Sequence, residues 1–143
     1  MARIMALDYG QKRTGIAVTD PMQMIASPLT TISTYQAIPF LQKYTQKESI
    51  SLFVIGWPLQ LDGQEGRTTR LVASFMRMLK RYFPKIPIIP YDERFTSLLA
   101  QYGLLQLDLP KKKRQEKGRL DRISAAIILD SFMESKHTLA LKM

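Results

Sequence analysis

ALDYGQKRTGIAVTD, residues Ala6 to Asp20, decides how this chain folds. Asp8 closes an apolar run, Ile4-Met5-Ala6-Leu7, in which no polar residue alternates. Such a run reads as a strand covered on both faces. Gly10 supplies a turn, Lys12 and Arg13 stand at or just past it, and Gly15-Ile16-Ala17-Val18-Thr19 returns as a second strand. The stretch predicts an antiparallel hairpin with a carboxylate on its inner strand and two cations at its tip. A carboxylate on a buried strand is costly unless it is paired or metal-bound. The bland alternative is a polar residue where the strand leaves the core.

Outward from the hairpin, Asp20-Pro21 marks a turn, and Ser27 to Ile32 reads as a third strand with an irregular entry at Pro28. Pro39 suits the first turn of a helix that carries Leu41 and Tyr44 inward and runs to about Glu48. Ser51 to Gly56 is another doubly buried strand, and Trp57 to Gly66 is a loop punctuated by Pro58, Asp62-Gly63 and Gly66. A long helix follows from Arg67 to Phe83, with Leu71, Val72, Phe75, Met78, Leu79 and Tyr82 as its apolar face. Arg67, Arg70, Arg77 and Arg81 share the other side: either an ordinary solvated face or a rail along a phosphate backbone. Ile86 to Tyr91 is the next strand, closed by Asp92-Glu93-Arg94. Thr96 or Ser97 can cap a helix carrying Leu98, Leu99, Tyr102 and Leu105. Leu109 to Gly118 is a charged loop, and a last helix spans roughly Arg119 to Ser135. An opening hairpin followed by alternating strands and helices implies an α/β mixed sheet with helices on both faces.

The length, 143 residues without repeat or linker, predicts one domain over residues 1–143. The net charge of +9 favours polyanionic partners. With no cysteine, disulfides, thiolate zinc sites and cysteine nucleophiles are excluded. The one histidine, His137, reads as a surface residue near the C-terminus. A bound metal would therefore be held by oxygen, which points to Mg²⁺ or Mn²⁺. MARIMALDYG lacks the apolar region of a signal peptide. No stretch approaches the ~18 consecutive apolar residues of a membrane helix. These readings predict a soluble, cytoplasmic protein that makes no membrane contact.

Three acids occupy places where structure alone has little use for them. Asp8 is one. Asp92 or Glu93 is the second, just past a buried strand, where α/β sheets place their sites. Alternation lets only one of these neighbours face a given side, and sequence does not choose between them. Asp121 is the third. It stands in the first turn of the last helix, where an acid complements the helix dipole. Yet Ala125, Ile128 and Phe132 at i+4, i+7 and i+11 align it with an apolar face. Carboxylates that converge repel unless a divalent cation intervenes. Metal ions held this way activate water and stabilise the leaving oxygen at a phosphodiester. Lys12 and Arg13, with Arg70 and Arg77 on the long helix and Lys111, Lys112, Lys113, Arg114 and Lys117 in the charged loop, are the candidate nucleic-acid contacts.

Four blocks, ALDYGQKRTGIAVTD, VIGWPLQLDGQEG, YDERFTS and KGRLDRISAAIILDSF, resemble in order and spacing the YqgF-type (RuvX) proteins of bacteria. These are named as Holliday junction resolvases or pre-16S rRNA nucleases, and the resemblance spans nearly the whole chain. It implies an RNase H-like fold, a metal-dependent endonuclease, and an acidic triad that is both catalytic and metal-binding. Carried over by position, the triad falls on Asp8, Glu93 and Asp121. Trp57 and Asp130 depart from the family's pattern without touching it. The resemblance implies pre-rRNA or branched DNA as substrate, with ribosomal particles as candidate partners, and it leaves the oligomeric state open.

Two rivals have other chemistry. Asp8-x-Gly10 followed by Gly15 also resembles the phosphate loop of actin- and sugar-kinase-like ATPases, which need two such domains; no GxxxxGK[ST] loop is present. A non-catalytic RNA- or ribosome-binding module would use the same cations but would have no use for three acids.

Overall fold

The computed structural model describes residues 2–58, 66–92 and 117–142, with the side chains of 122–135 in the last segment. Five strands form one sheet in the order β3-β2-β1-β4-β5. They are β1 (Arg3–Asp8), β2 (Arg13–Thr19), β3 (Ala26–Ser33), β4 (Ile50–Trp57) and β5 (Ile88–Asp92). The first three pair antiparallel, and β4 and β5 run parallel to β1. A 3₁₀ turn (Thr34–Gln36) leads into α1 (Ala37–Lys47); α2 (Arg67–Tyr82) follows β4, and α3 (Lys117–Lys142) closes the described chain.

The unbroken apolar run of β1 is explained by two cores. Met5 and Leu7 join Ile16, Phe53 and Ile55 beneath α1 and α2, packed with Leu41, Val72, Phe75 and Leu79. Ile4 and Ala6 join Ala17 and Val54 on the other face, under Ala125, Ile128 and Leu129 of α3. Each fully buried side chain of this size contributes roughly 1.5–3 kcal/mol. Small residues on the second face, Ala6, Ala17 and Ala125, let α3 lie close to the sheet. The expected mixed sheet with helices on both faces is present.

The element bounds up to β5 agree with the sequence to within two residues, with instructive exceptions in detail, and the last helix differs more. Pro28 falls beside a register shift in the edge strand β3, where a missing N–H disturbs no inner ladder. On α2, Met78 and Tyr82 are exposed rather than buried, while Met76 and Phe83 pack on the core in their place. The α2 stripe turns toward β5, which periodicity alone cannot determine. The helix expected after Thr96 or Ser97 lies outside the described residues, as does most of the charged loop. Finally, α3 runs from Lys117 to Lys142, starting two residues before the expected Arg119 and ending seven past the expected Ser135.

Candidate active site

Asp8 is the last residue of β1 and is half-buried. Strand alternation sets it on the face of Ile4 and Ala6, beneath α3. Its cross-strand partner is Gly15, so no side chain stands directly opposite the carboxylate. The next residue, Tyr9, packs on Phe75 of α2, with ring centroids 4.9 Å apart. The backbone is thereby gripped on one face immediately after it delivers the carboxylate to the other.

The hairpin tip is held just as firmly. Thr34 Oγ1 donates to the Gly10 carbonyl at 2.5 Å and lies 2.9 Å from Thr14 Oγ1. The single hydroxyl proton of Thr34 is committed to Gly10, so Thr14 donates to Thr34. The Thr34 amide also donates to the Lys12 carbonyl at 3.0 Å. Gly10 has a steric reason to be glycine: a Cβ there would stand 2.5 Å from the Arg13 carbonyl oxygen. Lys12 is exposed at this tip, and alternation along β2 sets Arg13 on the face of Gly15 and Ala17, which is Asp8's face.

β4 and β5 end at the same edge as β1. Beyond Trp57, the Pro58 carbonyl accepts a hydrogen bond from Thr69 Oγ1 at 2.8 Å, and Thr69 Oγ1 accepts from the Gly66 amide at 3.1 Å. Thr69 is buried and ties together the two ends of the loop between β4 and α2. Thr14, Thr34 and Thr69 are not among the residues that the sequence singles out; Thr69 alone carries a signal, standing three residues before Val72 on the buried stripe of α2.

Asp92 is paired beside Trp57, and both lie on the α1–α2 face, since Tyr91 packs on the α3 face. Asp92 is thus across the sheet from Asp8. Glu93 lies outside the described residues. Asp121 is described in its backbone alone: it stands one turn before Ala125 and two before Ile128, both fully buried against the sheet. Because α3 begins at Lys117, Asp121 falls beyond the first helical turn, which contains no acid. Asp130, Met133 and Glu134 border Gln23 and Met24 of the β2–β3 turn, at the edge where β1 begins. The helix therefore descends from the Asp8 edge, and Asp121 belongs to its upper part. Among the described residues no three acids or histidines gather as a metal-holding group. Of the three acids, only Asp8 has a described side chain.

Arg70 and Arg77 are exposed on α2, on the opposite side of the sheet from Asp8. Arg70, Ser74, Arg77 and Arg81 follow one helical stripe, and Arg77 Nη2 donates to Ser74 Oγ at 3.0 Å. Lys111, Lys112, Lys113 and Arg114 lie outside the described residues, and Lys117 opens α3. No described helix is long and apolar enough to cross a membrane.

The family model described as "RuvX: Holliday junction resolvase" matches residues 2–135. The chain belongs to the RuvX family. Relatives within the family include a protein of Phocaeicola vulgatus, 48% identical over 95% of this chain and 98% of its own. Another, from Flavobacterium johnsoniae, is 48% identical over 95% of this chain and 99% of its own. Both bear the name "Putative pre-16S rRNA nuclease". Among solved structures, RuvC of T. thermophilus in complex with a Holliday junction substrate superposes with a TM-score of 0.52 at 12% identity, covering 90% of this chain and 92% of that one. That likeness establishes the RNase H-like fold of this RuvX-family chain.

Proposed function

We propose that this chain is a cytoplasmic, single-domain, metal-dependent endonuclease that hydrolyses phosphodiester bonds in the 5′ processing of pre-16S rRNA. The observation that carries the reading is the position of Asp8: a half-buried carboxylate at the end of a central strand, on the face that α3 covers, with glycine opposite. Family membership and the names of the relatives supply the substrate class.

In this reading Asp8, Glu93 and Asp121 hold one or two Mg²⁺ or Mn²⁺ ions. The donors suit a hard cation, because the chain offers carboxylate oxygens, no cysteine and one distant histidine. When bound, such an ion supplies a lowered water pKa and charge stabilisation at the leaving oxygen. The chain's own residues do the rest. Gly15 leaves space against Asp8 for a phosphate to approach. The pinned tip presents Lys12 and Arg13 to the neighbouring phosphates, and Lys111, Lys112, Lys113, Arg114 and Lys117 supply further cations for the polyanion. Arg70 and Arg77 take up a portion of the polyanion that passes around the sheet.

Single-turnover cleavage of an RNA spanning the 5′ end of pre-16S rRNA, with Mg²⁺ and with EDTA, tests the reading. Metal-dependent scission is expected, and its absence with intact binding would favour the non-catalytic ribosome-binding alternative. The family model's description supports a second reading, resolution of a four-way DNA junction. Paired symmetrical nicks in a synthetic junction, made faster than RNA is cut, would establish that one instead.

A further inference from the structure

The edge of the sheet remote from Asp8 carries two unexplained surfaces. The first is the β2–β3 turn, which exposes Met22, Met24 and Ile25 at 58%, 74% and 67%. This turn is built rather than loose. The Asp20 carboxylate accepts from the amides of Met22, Met24 and Ile25 at 3.0, 2.8 and 2.7 Å. Gln23 is held at φ 58°, a conformation uncommon for a residue with a side chain, and its amide group donates to the Ala2 carbonyl at 2.8 Å. Exposed Asp130 and Glu134 of α3 flank the turn, one helical turn apart. Like charges at that spacing weaken a helix slightly.

The second surface is a groove of about 450 Å³ between the end of α2 and the start of β5. Met76, Ile86 and Ile88 form its apolar floor, and Arg77, Lys80 and Lys85 its cationic rim. The floor offers no aromatic ring for a base to stack on and no hydrogen-bonding side chain to read one.

We propose that the acid-flanked turn of one copy of this chain seats in the cation-rimmed groove of a second copy. Apolar side chains meet an apolar floor, and Asp130 and Glu134 meet Lys80 and Lys85. RNA would fill neither surface well: Asp130 and Glu134 repel phosphate at the turn, and the groove's aliphatic floor gives a base nothing to stack on. Both surfaces lie at the edge where β1, β4 and β5 begin, at opposite ends and on opposite faces of the sheet. A twofold axis perpendicular to the line joining them makes both contacts at once and closes the pair. The edge that carries Asp8 stays open in each copy, so the proposal does not depend on the catalytic site; Arg77 on the groove rim is the one residue that it shares with the proposed RNA path along α2.

Light scattering of the full chain tests it, with two charge-reversed variants, Asp130→Lys/Glu134→Lys and Lys80→Glu/Lys85→Glu. The wild type is expected to show twice the mass of the chain at low salt and to dissociate as salt screens the pairs. Each variant alone is expected to be monomeric. An equimolar mixture of the two regains the doubled mass, because both contacts are then between opposite charges; that rescue also shows that neither variant is misfolded. A wild type that stays monomeric at every concentration and salt overturns the proposal. So does a doubled mass that persists in both variants, or a mixture that stays monomeric. A Lys80→Glu/Lys85→Glu variant that loses RNA affinity while the wild type is monomeric assigns the groove to RNA instead.

Discussion

Asp8 and Asp92 end two parallel strands at one edge of the sheet, yet alternation sets them on opposite faces, Asp8 beneath α3 and Asp92 beside Trp57. A carboxylate partner for Asp8 must come from α3's face, and Asp92 does not supply it. Asp8→Asn is expected to keep nucleic-acid binding and lose Mg²⁺-dependent cleavage. The loss should exceed the roughly 10–100-fold that removing an outer partner of a metal ligand costs. Asp92→Asn should cost far less than Glu93→Gln. Single-turnover rates decide, and equal losses at 92 and 93 would remove Glu93 from its proposed role.

The hairpin tip yields a stability prediction. Gly10→Ala places a methyl group 2.5 Å from the Arg13 carbonyl, and relieving that overlap requires the tip to shift. Overpacking of this kind costs about 1–3 kcal/mol. Thr34→Val removes the hydroxyl that joins Gly10 to Thr14 and should cost about 0.5–1.5 kcal/mol. Thermal melts read both. A Gly10→Ala chain as stable as the wild type would show that the tip is pliant.

The frame of the fold was legible because its signals were local. The run Ile4 to Leu7 declared a doubly covered strand, and Pro39 and Gly66 marked helix starts that appear within a residue or two. The rest depended on long-range packing. Met78 and Tyr82 fit the helical period as well as Met76 does, and only the seat of α2 against β5 leaves them exposed. For Asp92, alternation was readable but its phase was not. The phase follows from Ile88 and Trp57 packing under α2 while Ile89 and Tyr91 pack under α3.

The segment Lys111-Lys112-Lys113 is expected to touch backbone phosphates. Replacing all three with alanine should weaken RNA binding and flatten its salt dependence, by about 0.7–0.9 in log–log slope for each phosphate no longer neutralised. Fluorescence anisotropy across a salt series measures this. An unchanged slope would make the segment an ordinary solvated loop.

Asp20 predicts an acid-limb effect. The amide of Ile25, aided by those of Met24 and Met22, holds its carboxyl below the usual value of 3.8, against a smaller opposing effect of desolvation. A carboxyl whose pKa is depressed by folding stabilises the native state above its unfolded pKa, and that stability is lost as pH falls through the folded value. Melting temperature should therefore fall as pH drops below about 4, and Asp20→Ala should flatten that limb. Superimposable acid limbs would show that the turn's amide contacts do not persist in solution.

Asp121 gives a prediction whose sign separates two physical accounts. If it converges with Asp8 and Glu93, the metal-free chain holds like charges in a partly desolvated cleft, and Asp121→Asn relieves them. The variant should then melt higher in EDTA. An acid at a helix start would instead stabilise by about 0.3–1 kcal/mol, an effect confined to the first turn. Since α3 begins at Lys117, Asp121 lies past that turn, and little of this contribution offsets the gain. The metal arm has its own sign. Stabilisation by a ligand grows as RT ln(1 + [L]/Kd), so weaker Mg²⁺ binding gives the variant a smaller rise in melting temperature on adding Mg²⁺. Differential scanning fluorimetry in EDTA and across a Mg²⁺ series reads both arms. A variant that melts lower in EDTA and gains as much from Mg²⁺ as the wild type would leave two acids, Asp8 and Glu93, for the site. The nuclease reading would then lose its third metal ligand.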